Sequence, residues 1–305
     1  MNLTKRDFIS IWDLSTEEIY QIFNLAEKLR NIKDKGENLY PLKGKTIALI
    51  FEKPSTRTRV SFEVGAYQLG AYPIFLASRD IHLGKSETLE DTARVMSRYV
   101  QAVVIRTFEQ EKVERFAASA NIPVINALTD FLHPCQAMAD YYTLWRRKKL
   151  KKDIKFAYIG DGNNVCHSLI LGAARLGIEI TIATPEEYKP SPLILEKVKG
   201  GKIKIVTNPK EAVKDADAVY TDVWVSMGKE DEREKREKIF KPYQLNSSLL
   251  SLAKPDVAVM HCLPAHRGKE ITDEVIDGKN SIVWDQAENR LHIQKALMVK
   301  LIPGN

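Results

Sequence analysis

The stretch TIALIFEKPSTRTR, residues 46–59, joins an apolar run to a polar segment in which Ser55, Thr56 and Thr58 alternate with Arg57 and Arg59 behind Pro54. A short continuous apolar run predicts a strand buried on both faces, and the residues after Pro54 predict a helix opening at its carboxyl end. The same alternation recurs along the chain in YPIFLAS, AVVIRT, PVINAL, KFAYIG, IEITIAT, KIKIVT, AVYTDVW and VAVMHCL. Buried strands separated by helices predict an α/β protein whose parallel sheets are flanked by helices. The runs fall into two groups of four or five, divided by a helix that starts near Pro134 and ends in the basic run at 146–152. At 305 residues the chain is twice an ordinary core size of roughly 150. The expected layout is a first domain over 1–145 and a second over 146–305, with a ligand cleft between them. A helix at about 15–33 is expected on the first domain, and a C-terminal helix at about 287–302 packing back on it.

Composition removes several classes of function. Apolar residues are 44% of the chain and charged ones 28%, which fits a folded protein with a sizeable core and excludes disorder as the main state. The net charge of +6 arises from 46 basic and 40 acidic residues that are mostly intermixed, as on a solvated surface. WRRKKLKKD (145–153) reads as a basic helix end and KEDEREKREK (229–238) as a solvated helix or loop. No aromatic residues alternate with basic ones as a nucleic-acid stacking platform requires, so no nucleic-acid partner is expected. Three cysteines without a CxxC pair predict a reducing compartment. The N-terminal residues lack a targeting pattern and no run is long enough to span a bilayer, so a cytoplasmic location without a membrane partner is expected.

In open parallel sheets ligands bind beyond the carboxyl ends of strands, where helix N-termini present unpaired N–H groups. Residues 53–59 occupy such a place. Ser55 and Thr58, three apart, share a helix face, whereas Arg57 and Arg59 point apart, so Arg57 is assigned to a ligand and Arg59 to structure. The alternative is an N-cap at Ser55 followed by surface arginines. GKT at 44–46 is not a P-loop tail, because Leu39 stands where the first glycine belongs and a strand follows. GDGNN at 160–164 is a weak dinucleotide signal, because Val165 replaces the last glycine of GxGxxG. Arg106, His133, Gln136, Asn164, Asp222 and Cys262 also follow or close predicted strands. Each has a plain alternative: an interior histidine, a small buried thiol, a turn aspartate. Jointly they point to one ligand site.

STRTR (55–59), HPCQ (133–136), DGNN (161–164), DVWVSMG (222–228), HCLPAHRG (261–268) and ENR (288–290) together resemble the ornithine carbamoyltransferases of the aspartate/ornithine carbamoyltransferase superfamily over essentially the whole chain. The first two motifs are shared with aspartate carbamoyltransferases; SMG and HCLP are the ornithine-type part. The resemblance implies carbamoyl transfer from carbamoyl phosphate to the δ-amine of L-ornithine, giving citrulline and phosphate. It implies Ser55, Thr56, Arg57 and Thr58 on the phosphate, and Arg106 and His133 as donors to the carbonyl oxygen. Gln136 would accept from the carbamoyl amino group, and the Leu263 backbone and Arg290 would make further contacts. Cys262 would sit by the δ-amine as proton acceptor or orienting group, a thiolate favoured by nearby arginines. Asn164, Asp222, Ser226 and the Met227 backbone would hold the α-carboxylate and α-amino ends. In the loop 79–92, His82 would act on phosphate in a neighbouring subunit of a homotrimer or multiple of trimers. Neither cofactor nor metal is implied, and His261, Cys262 and His266 lack zinc-ligand spacing. Other acceptors to weigh are putrescine and N-acylated ornithine.

Overall fold

Strand 46–51 is paired on both sides, to 72–77 and to 102–106, and both pairings are parallel. A computed structural model describes residues 3–37, 39–77, 87–226, 228 and 230–303. The chain divides into two compact units, one of residues 1–139 with 288–305 and the other of 140–287.

The first unit contains α1 (Thr16–Asp34), β1 (Thr46–Phe51), α2 (Thr56–Gln68), β2 (Tyr72–Ala77), α3 (Leu89–Tyr99), β3 (Ala102–Arg106), α4 (Gln110–Ser119) and β4 (Val124–Leu128). Helix α5 (Pro134–Arg146) follows β4. The sheet order is β2-β1-β3-β4, all parallel. Every residue of β3 and β4 is buried, as their unbroken apolar runs require, whereas edge strand β2 is only partly covered. Ser15 and Glu18 form a reciprocal capping box at the start of α1. Helix α2 lays Phe62, Gly65 and Ala66 inward. A Cβ at Gly65 would stand 3.2 Å from both Lys295 Cγ and Met298 Cε of the C-terminal helix, so the absence of a side chain permits that close packing.

The second unit runs β5 (Lys155–Ile159), α6 (Asn164–Leu176), β6 (Glu179–Ala183), α7 (Pro192–Lys197), β7 (Ile203–Val206), α8 (Pro209–Val213), β8 (Ala218–Thr221), α9 (Arg233–Phe240), α10 (Ser247–Leu250), β9 (Ala258–His261) and α11 (Asp273–Ile276). Helix α12 (Val283–Leu301) closes the chain. The five strands are ordered β7-β6-β5-β8-β9, again all parallel. Their core gathers Ile159, Val219, Val259, Trp224, Phe240 and Val283.

Each strand order reverses direction once, between β1 and β3 in the first sheet and between β5 and β8 in the second. At such a reversal the flanking helices leave on opposite faces and open a crevice at the carboxyl ends, the place where open α/β sheets bind ligands.

One reading of a charge run needs correction. Helix α5 ends at Arg146, in the basic run as expected, and beyond it Arg147 pairs with Asp285 and Lys149 Nζ with Asp256 Oδ2 at 2.5 Å. In the run 229–238, Arg236 is buried rather than solvated, because helix α9 turns that one side chain inward onto an acid.

Candidate active site

The first unit's reversal point is framed by the ends of β1 and β3. Ser55 is the N-cap of α2, its Oγ accepting the Thr58 N–H at 3.2 Å. Cap and ligand readings are compatible there, because the hydroxyl proton stays available to donate. Thr56 and Arg57 follow in the first turn and are exposed. Arg59 behaves as the structural member of the pair: its guanidinium lies 3.5 Å from the Phe75 ring centroid and its Nε is 3.1 Å from Glu63. Arg106 is the last residue of β3, opposite Phe51 of β1, and is buried. His133 and Gln136, both buried, stand at the entry of α5.

Arg290 of α12 ties these elements together. Its Nη1 donates to Gln136 Oε1 at 2.7 Å and its Nη2 to Thr58 Oγ1 at 2.8 Å, all three residues being buried. Thr58 thereby accepts through oxygen and keeps its own proton for an incoming acceptor. Burial, and then the charges of Arg290 and Arg106, hold the His133 imidazole well below its usual range, so the ring is neutral. Lys53, just ahead of the cap, is also buried, pairing with Asp130 with its ammonium 4.3 Å from the Phe108 ring centroid. His133 is thus an uncharged imidazole in the field of two buried arginines, Arg106 and Arg290.

The second unit's reversal point is framed by β5 and β8, with β9 beside β8. Thr221 pairs with His261 in register, so the next residues, Asp222 and Cys262, leave adjacent strand ends side by side. Cys262 Sγ donates to Asp222 Oδ1 at 2.8 Å, and the Val223 N–H reaches the same oxygen at 2.8 Å. Asn163 Nδ2 donates to Asp222 Oδ2 at 2.7 Å, while Asn163 Oδ1 caps α6 by accepting from Val165 and Cys166. Asn164 opens α6, and Ser226 lies half-buried in the loop after β8. Leu263, also half-buried, has a left-handed backbone at φ 56° and precedes a cis proline. Met227 and His82 lie outside the described residues.

The arginines expected beside Cys262 are joined by a group the sequence did not suggest: its sulfur lies 2.8 Å from the Asp222 carboxylate, to which the thiol can donate. Sequence reading also missed Asn163, Asp161 and Arg236. Arg236 donates to Asp161 Oδ2 at 2.9 Å and to the Trp224 carbonyl at 3.0 Å, pinning the loop after β8 to the turn after β5. An N-cap test on DGNN would have found Asn163, but nothing local marks Arg236 within a run of alternating charge.

Asp222, His261 and Cys262 bring potential ligand atoms within 4.8 Å of one another. Both His261 ring nitrogens are engaged, Nδ1 by the Leu263 N–H at 2.9 Å and Nε2 by Glu270 at 3.1 Å, so the cluster does not offer a cation three free donors. Nor does DGNN suit a dinucleotide. A Cβ at Gly162 would meet Pro190 N at 2.4 Å and Tyr188 O at 2.6 Å, so the neighbouring loop occupies the space a pyrophosphate would need.

Residues 6–146 match the carbamoyl-P binding domain of aspartate/ornithine carbamoyltransferase, and residues 152–301 match its Asp/Orn binding domain. The chain belongs to the aspartate/ornithine carbamoyltransferase family. Among the relatives of this carbamoyltransferase family, the ornithine carbamoyltransferase of Methanosarcina mazei is 54% identical over 300 residues, covering 98% of this chain and 99% of its own. That of Pyrococcus abyssi is 49% identical over 310 residues, covering 100% of this chain and 98% of its own. The solved ornithine carbamoyltransferase from Pyrococcus furiosus superposes with a TM-score of 0.95 at 49% identity, covering 99% of this chain and 98% of its own.

Proposed function

We propose that the chain transfers the carbamoyl group of carbamoyl phosphate to the δ-amine of L-ornithine, releasing citrulline and phosphate. The observation that carries the choice of acceptor is the buried Asp222 carboxylate at the reversal point of the second sheet, met by Cys262 and Asn163. A fixed anion there favours a cationic amino acid and repels a second acid such as aspartate.

In this reading the first unit holds the donor. Carbamoyl phosphate is a doubly charged mixed anhydride; its phosphate is taken by the free N–H groups opening α2 with Ser55, Thr56, Arg57 and Thr58. Arg106, with five donors in a planar fork, bridges phosphate and carbonyl oxygen. Neutral His133 donates to that oxygen without adding another positive charge beside Arg106 and Arg290. Gln136 accepts from the carbamoyl amino group, Arg290 keeps Thr58 and Gln136 in place, and His82 adds a donor to phosphate from a neighbouring copy. The second unit holds the acceptor through Asn164, Asp222, Ser226 and Met227, with Cys262 and the Leu263 backbone beside the reacting groups. The δ-amine, whose free pKa is near that of lysine at about 10, attacks after losing its proton. The tetrahedral adduct collapses by expelling phosphate, so no covalent enzyme intermediate is needed. Both half-sites serve this one displacement.

Homotrimeric assembly is part of the proposal. Val60, Val64 and Tyr67 form an exposed stripe along α2, and Tyr72 stands exposed on edge strand β2. Apolar residues at helical spacing beside a half-covered sheet edge suit contact with another copy. We place the enzyme in the cytoplasm because its three cysteines form no disulfide; no helix among the described residues is long and apolar enough to cross a membrane.

The test is initial-rate kinetics with ornithine, putrescine and aspartate as acceptors at saturating carbamoyl phosphate. Ornithine is expected to exceed the others in kcat/KM by about tenfold or more: putrescine lacks the α-carboxylate, a lost polar contact costing about 1–3 kcal/mol, and aspartate lacks the δ-amine and brings a second carboxylate towards Asp222. Aspartate turning over as fast as ornithine would overturn the reading.

A further inference from the structure

Behind Cys262 lies a buried pair of side chains that the proposed reaction does not use. Glu270 is fully buried, and its Oε1 receives His261 Nε2 at 3.1 Å and the His266 backbone N–H at 2.6 Å. Its Oε2 is buried without a hydrogen-bond partner, the nearest imidazole nitrogen being His266 Nδ1 at 3.9 Å. The His261 side chain is completely buried too. Carboxylates are seldom enclosed in this way unless the acceptor is needed for what surrounds it.

The hydrogen bonds fix the imidazole tautomer. The Leu263 N–H points at His261 Nδ1, 2.9 Å away, so Nδ1 must be the unprotonated acceptor and Nε2 must carry the proton given to Glu270. The opposite tautomer would set an N–H against the Leu263 N–H and leave Glu270 facing a lone pair. His261 is itself held, its backbone N–H donating to Gln286 Oε1 at 3.0 Å and Gln286 Nε2 to Asp140 Oδ1 at 2.7 Å. What the imidazole grips is the Cys262–Leu263 peptide. One side of that peptide carries the thiol that meets Asp222 at 2.8 Å, and the other leads into the left-handed Leu263 at φ 56°. The left-handed backbone of Leu263 is a strained one for a residue with a side chain, and the imidazole gives its N–H an acceptor in that conformation.

We infer that Glu270 is a positioning residue for acceptor binding: by holding His261 as the Nε2–H tautomer it fixes the Cys262–Leu263 peptide against Asp222. The inference rests on the ornithine-binding reading of Asp222 and Cys262, but its first test does not. In protein labelled with 15N-histidine, the ring assigned to His261 by its loss in His261→Asn is expected to show protonated Nε2 and unprotonated, hydrogen-bonded Nδ1 at the assay pH. An Nδ1–H tautomer or an imidazolium would overturn the inference whatever the enzyme's acceptor proves to be. The second test compares Glu270→Gln, whose Oε1 can still accept both N–H groups, with Glu270→Leu, which cannot. The glutamine variant is expected within about threefold of the parent in kcat/KM for ornithine, and the leucine variant about tenfold or more below it with KM carrying most of the loss. Two folded variants that match each other, both active or both impaired, would overturn it. If the leucine variant does not fold, the tautomer measurement on the parent still decides.

Discussion

At Asp222 one carboxylate collects a thiol, a side-chain amide and a backbone N–H, each within 2.8 Å. Asp222→Asn keeps the shape and removes the charge. It is expected to lower kcat/KM for ornithine by about a hundredfold while leaving KM for carbamoyl phosphate within about threefold, measured by varying each substrate separately. Arg290→Met is expected to show the converse, raising KM for carbamoyl phosphate, because Thr58 and Gln136 lose their shared donor. His133 leaves the pH behaviour to the substrate amine. With its pKa held well below the ordinary range by burial and two arginines, the ring is already neutral near pH 6.5 and contributes no inflection there. The log of kcat/KM for ornithine is therefore expected to rise smoothly with pH as more of the δ-amine is uncharged; a break near pH 6.5 that disappears in His133→Gln would contradict this.

Among the elements, α12 and α9 hold charged groups where water is scarce. His292 of α12 is lowered to about 4, burial outweighing its partner Glu288 at 3.2 Å and the repulsion of Lys295 and Arg30 adding to the shift. As pH falls below 6.5 the unfolded chain takes up this proton and the folded chain does not until about pH 4. Stability from this group is thus complete above pH 6.5 and is lost as pH drops towards 4, on the order of 2 kcal/mol by pH 5. Urea midpoints at pH 7 and pH 5 should therefore converge in His292→Asn by about that amount. Arg236→Met removes the buried guanidinium that pairs with Asp161, and about 3–5 kcal/mol of stability is expected to be lost in the same urea assay. The nine strands among the described residues and their parallel sense were legible in the sequence, because strands buried on both faces carry unbroken apolar runs. Arg106, His133, Asp222 and Cys262 were legible as strand-end polar residues. What could not be read was how those side chains share partners. That Cys262 meets an anion follows from the register of Thr221 opposite His261, a non-local fact. Arg236 was hidden because one inward turn of a charged helix leaves no mark in a run of alternating signs, and Glu270 because its partner His261 lies across a loop.

At the scale of the molecule, two parallel sheets each carry polar groups at the one place where strand order reverses. The first gathers cationic donors and the second a carboxylate and a thiol, a division that matches an anionic acyl donor and a cationic amine. The proposed association through the exposed stripe of α2 has its own test: sedimentation is expected to give a trimer or a multiple of it, and Val64→Asp with Tyr67→Asp to give smaller species. The central claim is that one displacement draws on both half-sites. Its most direct measurement is calorimetric titration with a single molecule joining a phosphonoacetyl group to the δ-nitrogen of ornithine. One equivalent is expected to bind per chain, far more tightly than phosphonoacetate or ornithine alone, and with an affinity reduced at least about tenfold by either Arg106→Ala or Asp222→Asn. Binding no tighter than the better fragment, and indifferent to one of those substitutions, would contradict it.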